Sequence, residues 1–517
     1  MEMVYGVKDR PKAGRLILFS LQQLLAILAA TIAVPMIVKN GMQPSAALFG
    51  AGVGTIVYLL FTKFKSPVFL GSSFAFLGSM AAAFAGASTM TLGYLGLLIG
   101  AVFAGLVYVI IAIIVRFAGT KWIDKIMPAV VIGPTVAIIG LSLAGNAIGD
   151  LMSGSASYTI KEIIAILVEG QPALDTVEKT IPYANTFIAL LCGLVTLGVT
   201  IVCSVYGKKM LKMIPFVIGI LAGYALAAIF TGFSYLPGAE CLRVIDFTPF
   251  TTLGTAEAWY PAFTFLRAFN VNIGGYGGDG YGSNIGAYIG TIAVAYIPVA
   301  FVVFAEHLAD HKNISSIIET DLLKDPGLHR TLLGDGVGSI AGAFFGGCPN
   351  TTYGESVGCV AISRNASVIT IFVTACMAIL SAFLAPFTLF LASIPKCVMG
   401  GVCVALYGFI AVSGLKMIQN VDLNDHRNLF TVCVILIAGV GGMVLNIGKV
   451  VVTEVACALI LGILTNLLVN IKSKKSGEKP VEATEGVDAT AKPEADEPAV
   501  TEDKAEAEVA SDAPETK

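Results

Sequence analysis

The chain has 517 residues, of which 56% are hydrophobic and only 13% are charged, and its formal net charge is −3. Soluble domains carry about 25% charged residues, so this composition excludes an ordinary soluble protein, and the slightly acidic balance excludes a nucleic-acid partner. Apolar blocks of about 20 residues, each long enough to cross the hydrocarbon core, predict an all-α polytopic membrane protein embedded in a lipid bilayer.

Fourteen apolar segments are predicted to span the membrane. In chain order they are residues 15–38, 45–62, 71–86, 92–117, 127–148, 184–205, 214–231, 286–310, 331–347, 353–363, 367–390, 395–415, 428–446 and 450–471. The third and the tenth are short and rich in small residues. This indicates broken spans that carry short extended segments.

Lys and Arg concentrate at alternate junctions between the predicted spans, beginning with the N-terminus. The positive-inside rule therefore predicts a multi-pass membrane protein with both termini in the cytoplasm. Residues 1–14 form the cytoplasmic N-terminus, and 232–285 form an extracellular loop with a Gly-rich stretch from 274 to 286. The acidic tail, 472–517, has almost no large apolar residues and is expected to be disordered and cytoplasmic.

The third span of each half contains a similar small motif. The stretch 71–74, GSSF, follows Pro67, and the stretch 350–355, NTTYGE, follows Pro349. Seven spans per half make the second half insert upside down relative to the first, which is a common transporter architecture. A broken helix exposes backbone N–H groups that, with the helix dipole, hold a carbonyl oxygen or an anion. The alternative is a kink that only packs tightly.

Two carboxylates interrupt apolar stretches. Glu306 follows a run of apolar residues in the eighth span, and Glu355 begins the tenth. A carboxylate within the membrane normally faces the bundle interior and marks a pathway, although each could instead be a structural hydrogen-bonding group. Asp310 lies one helical turn after Glu306 on the same face, and it either shares in proton exchange or is a solvated helix end. His307 is turned off that face, and His311 is expected at the membrane interface.

The sequence contains no pairing of a nucleophile with a base and no His, Cys, Asp or Glu spacing typical of a metal site. It therefore predicts no catalytic residues, no metal and no cofactor, and the protein is not expected to be an enzyme.

Five stretches together resemble the nucleobase–ascorbate transporter family, and within it the bacterial branch that carries uracil. They are 20–23 (SLQQ), 70–76 (LGSSFAF), 305–307 (AEH), 321–330 (DLLKDPGLHR) and, most specifically, 349–355 (PNTTYGE). The resemblance extends from about residue 5 to about residue 471.

The resemblance implies a fourteen-span, 7+7 inverted repeat of the inner (plasma) membrane that imports uracil by proton symport. Residues 15–118 (spans 1–4) and 286–390 (spans 8–11) would form a core domain that holds the substrate. Residues 127–231 (spans 5–7) and 395–471 (spans 12–14) would form a gate domain and a homodimer interface. The core would move against the gate in alternating access, and the proton gradient would take the place of a cofactor.

The resemblance also assigns the substrate site. Glu306 is the expected main ligand and Glu355 the second carboxylate. The backbone around Phe74 and Gly354 would meet the base, with Tyr353 nearby. Uracil presents two N–H donors and two carbonyl acceptors, which match carboxylates and free backbone N–H groups.

Ser73 belongs to the same motif and is a further substrate-binding candidate. Gln23 and Asp310 stand where uracil carriers of this family often have histidine. Gln23 and Asp310 are therefore proton-coupling candidates beside Glu306 and Glu355.

Three alternatives remain. The first is a xanthine or other purine permease of the same family, which Asp310 favours and Glu355 disfavours. The second is an anion exchanger of the same fold, whose relatives usually carry a folded cytoplasmic domain. The third is a channel or a membrane-embedded enzyme.

Overall fold

The computed structural model describes residues 3–168, 171–208, 210–269, 285–419, 421–447 and 450–471. The predicted Gly-rich stretch lies mostly outside these residues, as does the predicted disordered tail, 472–517.

The described part of the chain is mostly helical. The first helices are α1 (Ala13–Val38), α2 (Pro44–Phe61), α3 (Leu77–Ala85), α4 (Met90–Ala118), α5 (Lys121–Ile126), α6 (Ala129–Ser142), α7 (Ala144–Leu151), α8 (Thr186–Tyr206), α9 (Met210–Met213) and α10 (Pro215–Phe233). The later helices are α11 (Thr264–Ala268), α12 (Ile285–Ile317), α13 (Leu328–Gly346), α14 (Gly354–Ser363), α15 (Val368–Ser381), α16 (Ala385–Ser393), α17 (Lys396–Met417), α18 (His426–Val440) and α19 (Glu454–Val469).

Three pairs of antiparallel strands interrupt the helices. They are β1 (Leu70–Ser72) with β4 (Asn350–Thr352), β2 (Ser157–Val168) with β3 (Gln171–Pro182), and β5 (Leu445–Ile447) with β6 (Val450–Val452). The all-α prediction is therefore wrong at the β2–β3 hairpin, which lies between two predicted spans. A search for apolar blocks of about 20 residues does not detect strands of 12 residues that contain charges.

Each of the fourteen predicted spans contains helix, but the helices differ in length. Among the described residues, eight helical segments are long and apolar enough to cross a membrane, and α15 with α16 forms a ninth candidate bent by 83°. The helix that begins at Phe74, α18 and α19 are shorter. The β5–β6 hairpin occupies the end of the predicted thirteenth span and the start of the fourteenth. The chain is thus a helical membrane protein whose exact number of crossings remains a prediction.

Helices α2 and α13 pack against each other along a line of glycines. A Cβ atom at Gly54 would lie 2.7 Å from the carbonyl oxygen of Gly338, and one at Gly338 would lie 2.7 Å from that of Gly54. Without a strong hydrophobic drive between helices in lipid, small residues of this kind allow close backbone packing. Helices α1, α4, α12 and α15 surround this pair, whereas α6, α8, α10, α17, α18 and α19 pack mainly on one another.

Contacts between loops agree with the predicted alternation of sides. Lys65 forms an ion pair with Asp325 at 2.6 Å, and the backbone of Tyr5 pairs with Asn365. Each contact joins segments that the charge pattern places on the same side. Which side faces the cytoplasm remains a prediction.

Candidate functional site

Strands β1 and β4, one from each half of the chain, pair side by side and antiparallel in the interior. The register sets Leu70 opposite Thr352 and Ser72 opposite Asn350. A further bond runs from the Ser73 N–H to the Pro349 carbonyl at 2.9 Å. The two motifs that look alike in the sequence are therefore in direct contact.

Hydrogen bonds to helix α2 anchor both strands. The Thr55 hydroxyl donates to the Leu70 carbonyl at 3.1 Å, and its oxygen accepts from the Leu70 N–H at 2.9 Å. The Asn350 side-chain amide donates to the Gly50 carbonyl at 3.1 Å. Because these bonds satisfy buried backbone groups beside the short strands, the extended segments are fixed in the middle of a helical bundle.

Each strand leads directly into the N-terminus of a helix. After β1 a 3₁₀ turn at Phe74–Phe76 continues into α3, and after β4 helix α14 begins at Gly354. Neither Ser73 nor Tyr353, the residues at the two caps, makes a capping bond from its side chain. The Ser73 hydroxyl is buried and has no hydrogen-bond partner among the described residues. Uncapped helix N-termini offer N–H groups to a carbonyl or an anion.

Three carboxylates lie beside these termini. Glu306 projects from α12, is half-buried, and makes no hydrogen bond or ion pair with the described part of the chain. Asp310, one turn later, accepts a hydrogen bond from the Thr352 hydroxyl at 2.7 Å. Glu355 stands in the first turn of α14 and is also half-buried. Both Asp310 and Glu355 are close enough to Glu306 to act on it electrostatically.

Aromatic side chains close two sides of this region. Tyr353 is 3% exposed, and its hydroxyl donates to the Ser72 carbonyl at 2.8 Å. Phe74 is 7% exposed and lies edge-on to Tyr407 of α17, with ring centroids 5.6 Å apart. Phe74 also lines a narrow cleft between α3, α6 and α19, opposite Glu454.

The structure thus brings together Glu306, Asp310, Glu355, Tyr353, Gly354, Phe74 and Ser73. Gln23 lies nearby, because its side-chain amide donates to the Ser356 hydroxyl at 2.5 Å. That bond already engages Gln23 with the helix that carries Glu355.

Sequence analysis missed several residues around this site. Tyr407 and Glu454 lie inside predicted spans, 395–415 and 450–471, but were not identified because neither belongs to a recognised motif. His311 and His307 are both completely buried within the protein, and the position of His311 at the membrane interface remains a prediction. Within the described residues, no group of three or more His, Cys, Asp or Glu side chains is arranged to hold a metal ion.

Comparison with known proteins identifies the family. A permease family model matches residues 14–448. The chain is 37% identical to the uracil permease of Bacillus caldolyticus, covering 90% of this chain and 94% of the relative. It is 34% identical to the uracil permease of Escherichia coli K12, covering 94% of this chain and 99% of the relative.

Solved structures share the fold at low identity. The transmembrane domain of the cyanobacterial bicarbonate transporter BicA matches with a TM-score of 0.56 at 15% identity, covering 89% of this chain and 99% of that domain. The anion transporter solute carrier 26 member A9 from mouse matches with a TM-score of 0.53 at 11% identity, covering 90% of this chain and 69% of that protein. These likenesses concern the fold alone. By its family match and its close relatives, the chain belongs to the nucleobase–ascorbate transporter family of membrane permeases and is a transporter, not an enzyme.

Proposed function

We propose that this permease imports uracil across the inner membrane by proton symport. The observation that carries the proposal is the convergence of two uncapped helix N-termini with Glu306 and Glu355 at the β1–β4 crossing. The identity of 31–37% to several uracil permeases supports the choice of substrate.

The chemistry of the site suits a pyrimidine base. Glu306 has no partner among the described residues and would accept from a uracil N–H, with Glu355 as the second acceptor. Backbone N–H groups near Phe74 and Gly354 would donate to the carbonyls. A site that pairs every polar group of the ligand discriminates strongly against analogues that leave one group unpaired.

The aromatic neighbours would set the plane of the base. Phe74 and Tyr353 flank the crossing from opposite strands, and aromatic rings favour stacked or edge-on contacts with one another. The buried Ser73 hydroxyl would offer a further polar contact.

The architecture we propose is a fourteen-span, 7+7 inverted repeat. The helices packed around α2 and α13 (15–118 and 286–390) would be the core domain, and those packed around α6 and α17 (127–231 and 395–471) the gate domain. The core would slide against the gate in alternating access, and the gate domains would pair in a homodimer. Both termini would be cytoplasmic.

The proton candidates are Glu306, Asp310, Glu355 and Gln23. The first three are neighbouring carboxylates within the bundle, where ionisable groups typically form proton relays. Gln23 cannot carry a proton itself, and its bond to Ser356 indicates a supporting role at the start of α14. No cofactor is proposed, since the proton gradient supplies the energy.

A purine is the second candidate substrate, favoured by Asp310 one turn after Glu306. Unlabelled xanthine and adenine, added as competitors, separate the two substrates. Unlabelled sulfate, added as a further competitor, tests the anion-exchanger alternative, which the shared fold alone supports.

The deciding experiment is radiolabelled uracil uptake into proteoliposomes with and without an inward proton gradient. Glu306→Gln should lower uptake by about 10- to 150-fold, because hydrogen bonds to a charged group contribute about 1.5–3 kcal/mol. The exposed outer-loop variant Glu240→Gln is the matched control and should transport normally. Normal uptake by Glu306→Gln would refute the role of Glu306 as the main substrate ligand. Equal uptake with and without the gradient would show that transport is not coupled to protons.

A further inference from the structure

A buried histidine–aspartate pair lies directly behind the substrate carboxylate. His307, the residue after Glu306, places Nδ1 2.6 Å from Oδ2 of Asp335 on α13. The side chain of His307 is 0% exposed and that of Asp335 is 1% exposed. Sequence analysis gave no role to Asp335, although it lies within the predicted ninth span, 331–347.

The hydrogen bonds around His307 allow two arrangements of its protons. The Thr331 oxygen lies 3.0 Å from both the Leu328 carbonyl and His307 Nε2. If Thr331 donates to Nε2, the pair holds one proton, on Nδ1. If Thr331 donates to Leu328, it accepts from Nε2–H, and a second proton lies between His307 Nδ1 and Asp335 Oδ2. This holds for either assignment, imidazolium with carboxylate or neutral imidazole with carboxylic acid.

The neighbouring His311 differs in its partners. Its ring stacks on that of His307 with centroids 4.0 Å apart. Its Nδ1 donates to the His307 carbonyl at 2.8 Å, and its Nε2 lies 2.7 Å from the Tyr58 hydroxyl. Carbonyl and phenol are neutral groups, so of the two histidines only His307 shares a proton with an acid.

We propose that His307 and Asp335 form a second proton site of the transporter, loaded when Thr331 donates to Leu328, whose release of the proton is coupled to movement of α12. The proposal rests on the proposed function. Without the shared proton, the lone pairs of His307 Nδ1 and Asp335 Oδ2 would face each other at 2.6 Å. Either that contact opens, or Thr331 turns its hydroxyl from Leu328 to His307; both change the attachment of α12 to α13 next to Glu306.

Asp335 acts on the substrate site through His307 and is therefore a positioning residue. Its second oxygen, Oδ1, is buried without a partner among the described residues, and so is the Tyr108 hydroxyl. Both groups line the same small cavity between α4, α12 and α13. The Tyr108 hydroxyl is thus a neighbouring donor for Asp335 when the hydrogen bonds of the pair rearrange. The other titratable groups close to it are Glu306, Asp310 and Glu355 on the substrate side, with Tyr58 and His311 behind.

The experiment compares two kinds of transport in the same proteoliposomes. Exchange of labelled for unlabelled uracil needs no net proton movement, whereas accumulation under an inward proton gradient does. Asp335→Asn keeps the side-chain shape and still accepts from His307 Nδ1–H, but it cannot share the proton. We expect exchange within about twofold of wild type and accumulation reduced at least about tenfold, the signature of lost coupling.

Asp321→Asn, at an exposed position in the loop before α13, is the matched control and should leave both activities unchanged. His307→Gln, which removes the pair from the other side, should reproduce the uncoupling. Wild-type-like accumulation by either variant would overturn the proposal. Loss of exchange in both variants would also overturn it, because the pair would then be a structural anchor. Failure of the wild-type protein to accumulate uracil would instead refute the proposed function, proton-driven uracil import.

Discussion

Replacing Gly71 by alanine tests whether the β1–β4 crossing shapes the substrate site. A Cβ atom at Gly71 would lie 2.8 Å from the Tyr353 hydroxyl oxygen and closer still to two carbon atoms of that ring. The ring is buried and its hydroxyl is bound to the Ser72 carbonyl, so it has no free space into which to move.

The cost follows from these contacts. Forcing extra volume into a packed interior costs about 1–3 kcal/mol, and losing the Tyr353 hydrogen bond adds about 1 kcal/mol. If half of that total, about 1–2 kcal/mol, falls on the ligand-binding conformation, affinity for uracil drops roughly 5- to 30-fold. Backbone groups of Phe74 and Gly354 lose their alignment as the crossing opens.

Equilibrium binding of labelled uracil to purified protein in detergent measures the effect. Gly358→Ala is the matched control, because a Cβ atom there meets nothing within 4 Å although the residue lies in α14. Its affinity should stay within about twofold of wild type, consistent with a substitution that creates no overlap. Wild-type affinity in Gly71→Ala would refute the placement of the site at the crossing.

Three further predictions concern single contacts. Thr352→Val removes the hydrogen bond that Asp310 accepts. Since bonds to charged groups contribute about 1.5–3 kcal/mol, the uracil concentration for half-maximal uptake should rise about tenfold or more. An unchanged concentration would show that Asp310 does not need this hydrogen bond. Gly54→Leu forces a side chain against the backbone of α13, so the thermal unfolding midpoint in detergent should fall; an unchanged midpoint would contradict the close packing. Lys65→Ala breaks an exposed ion pair with Asp325. Such pairs contribute about 0–1 kcal/mol, so both uptake and the unfolding midpoint should change little. A large loss of uptake or of stability would reveal a role of Lys65 beyond the ion pair.

Helices in long apolar runs were predictable from sequence because lipid requires every backbone group to be bonded within the segment. Helices α1, α4 and α12 follow this rule closely. The β2–β3 hairpin was missed because its residues form no apolar block. The β5–β6 hairpin was missed because its few apolar residues merge with the flanking helices α18 and α19.

The candidate site was predictable only in part. Glu306 was visible because a carboxylate after a long apolar run is costly unless it serves a function. The pairing of β1 with β4 was not, because the two strands are far apart in the chain and three-residue strands have no recognisable pattern. Asp335 lies in the predicted ninth span but belongs to no recognised motif, and only the fold places it against His307. The roles of all these residues remain proposals.

The grouping of carboxylates around Glu306 suggests why a proton and uracil would bind together. Like charges repel strongly at short range in a bundle of low dielectric constant. A proton on Asp310 or Glu355 would relieve that repulsion and so favour the ionised form of Glu306, which is the form proposed to accept a uracil N–H. By thermodynamic reciprocity, uracil held by Glu306 would then strengthen proton binding at its neighbours by the same factor. Two solutes that each stabilise the other's binding in this way are carried in the same direction, which is the behaviour of a symporter.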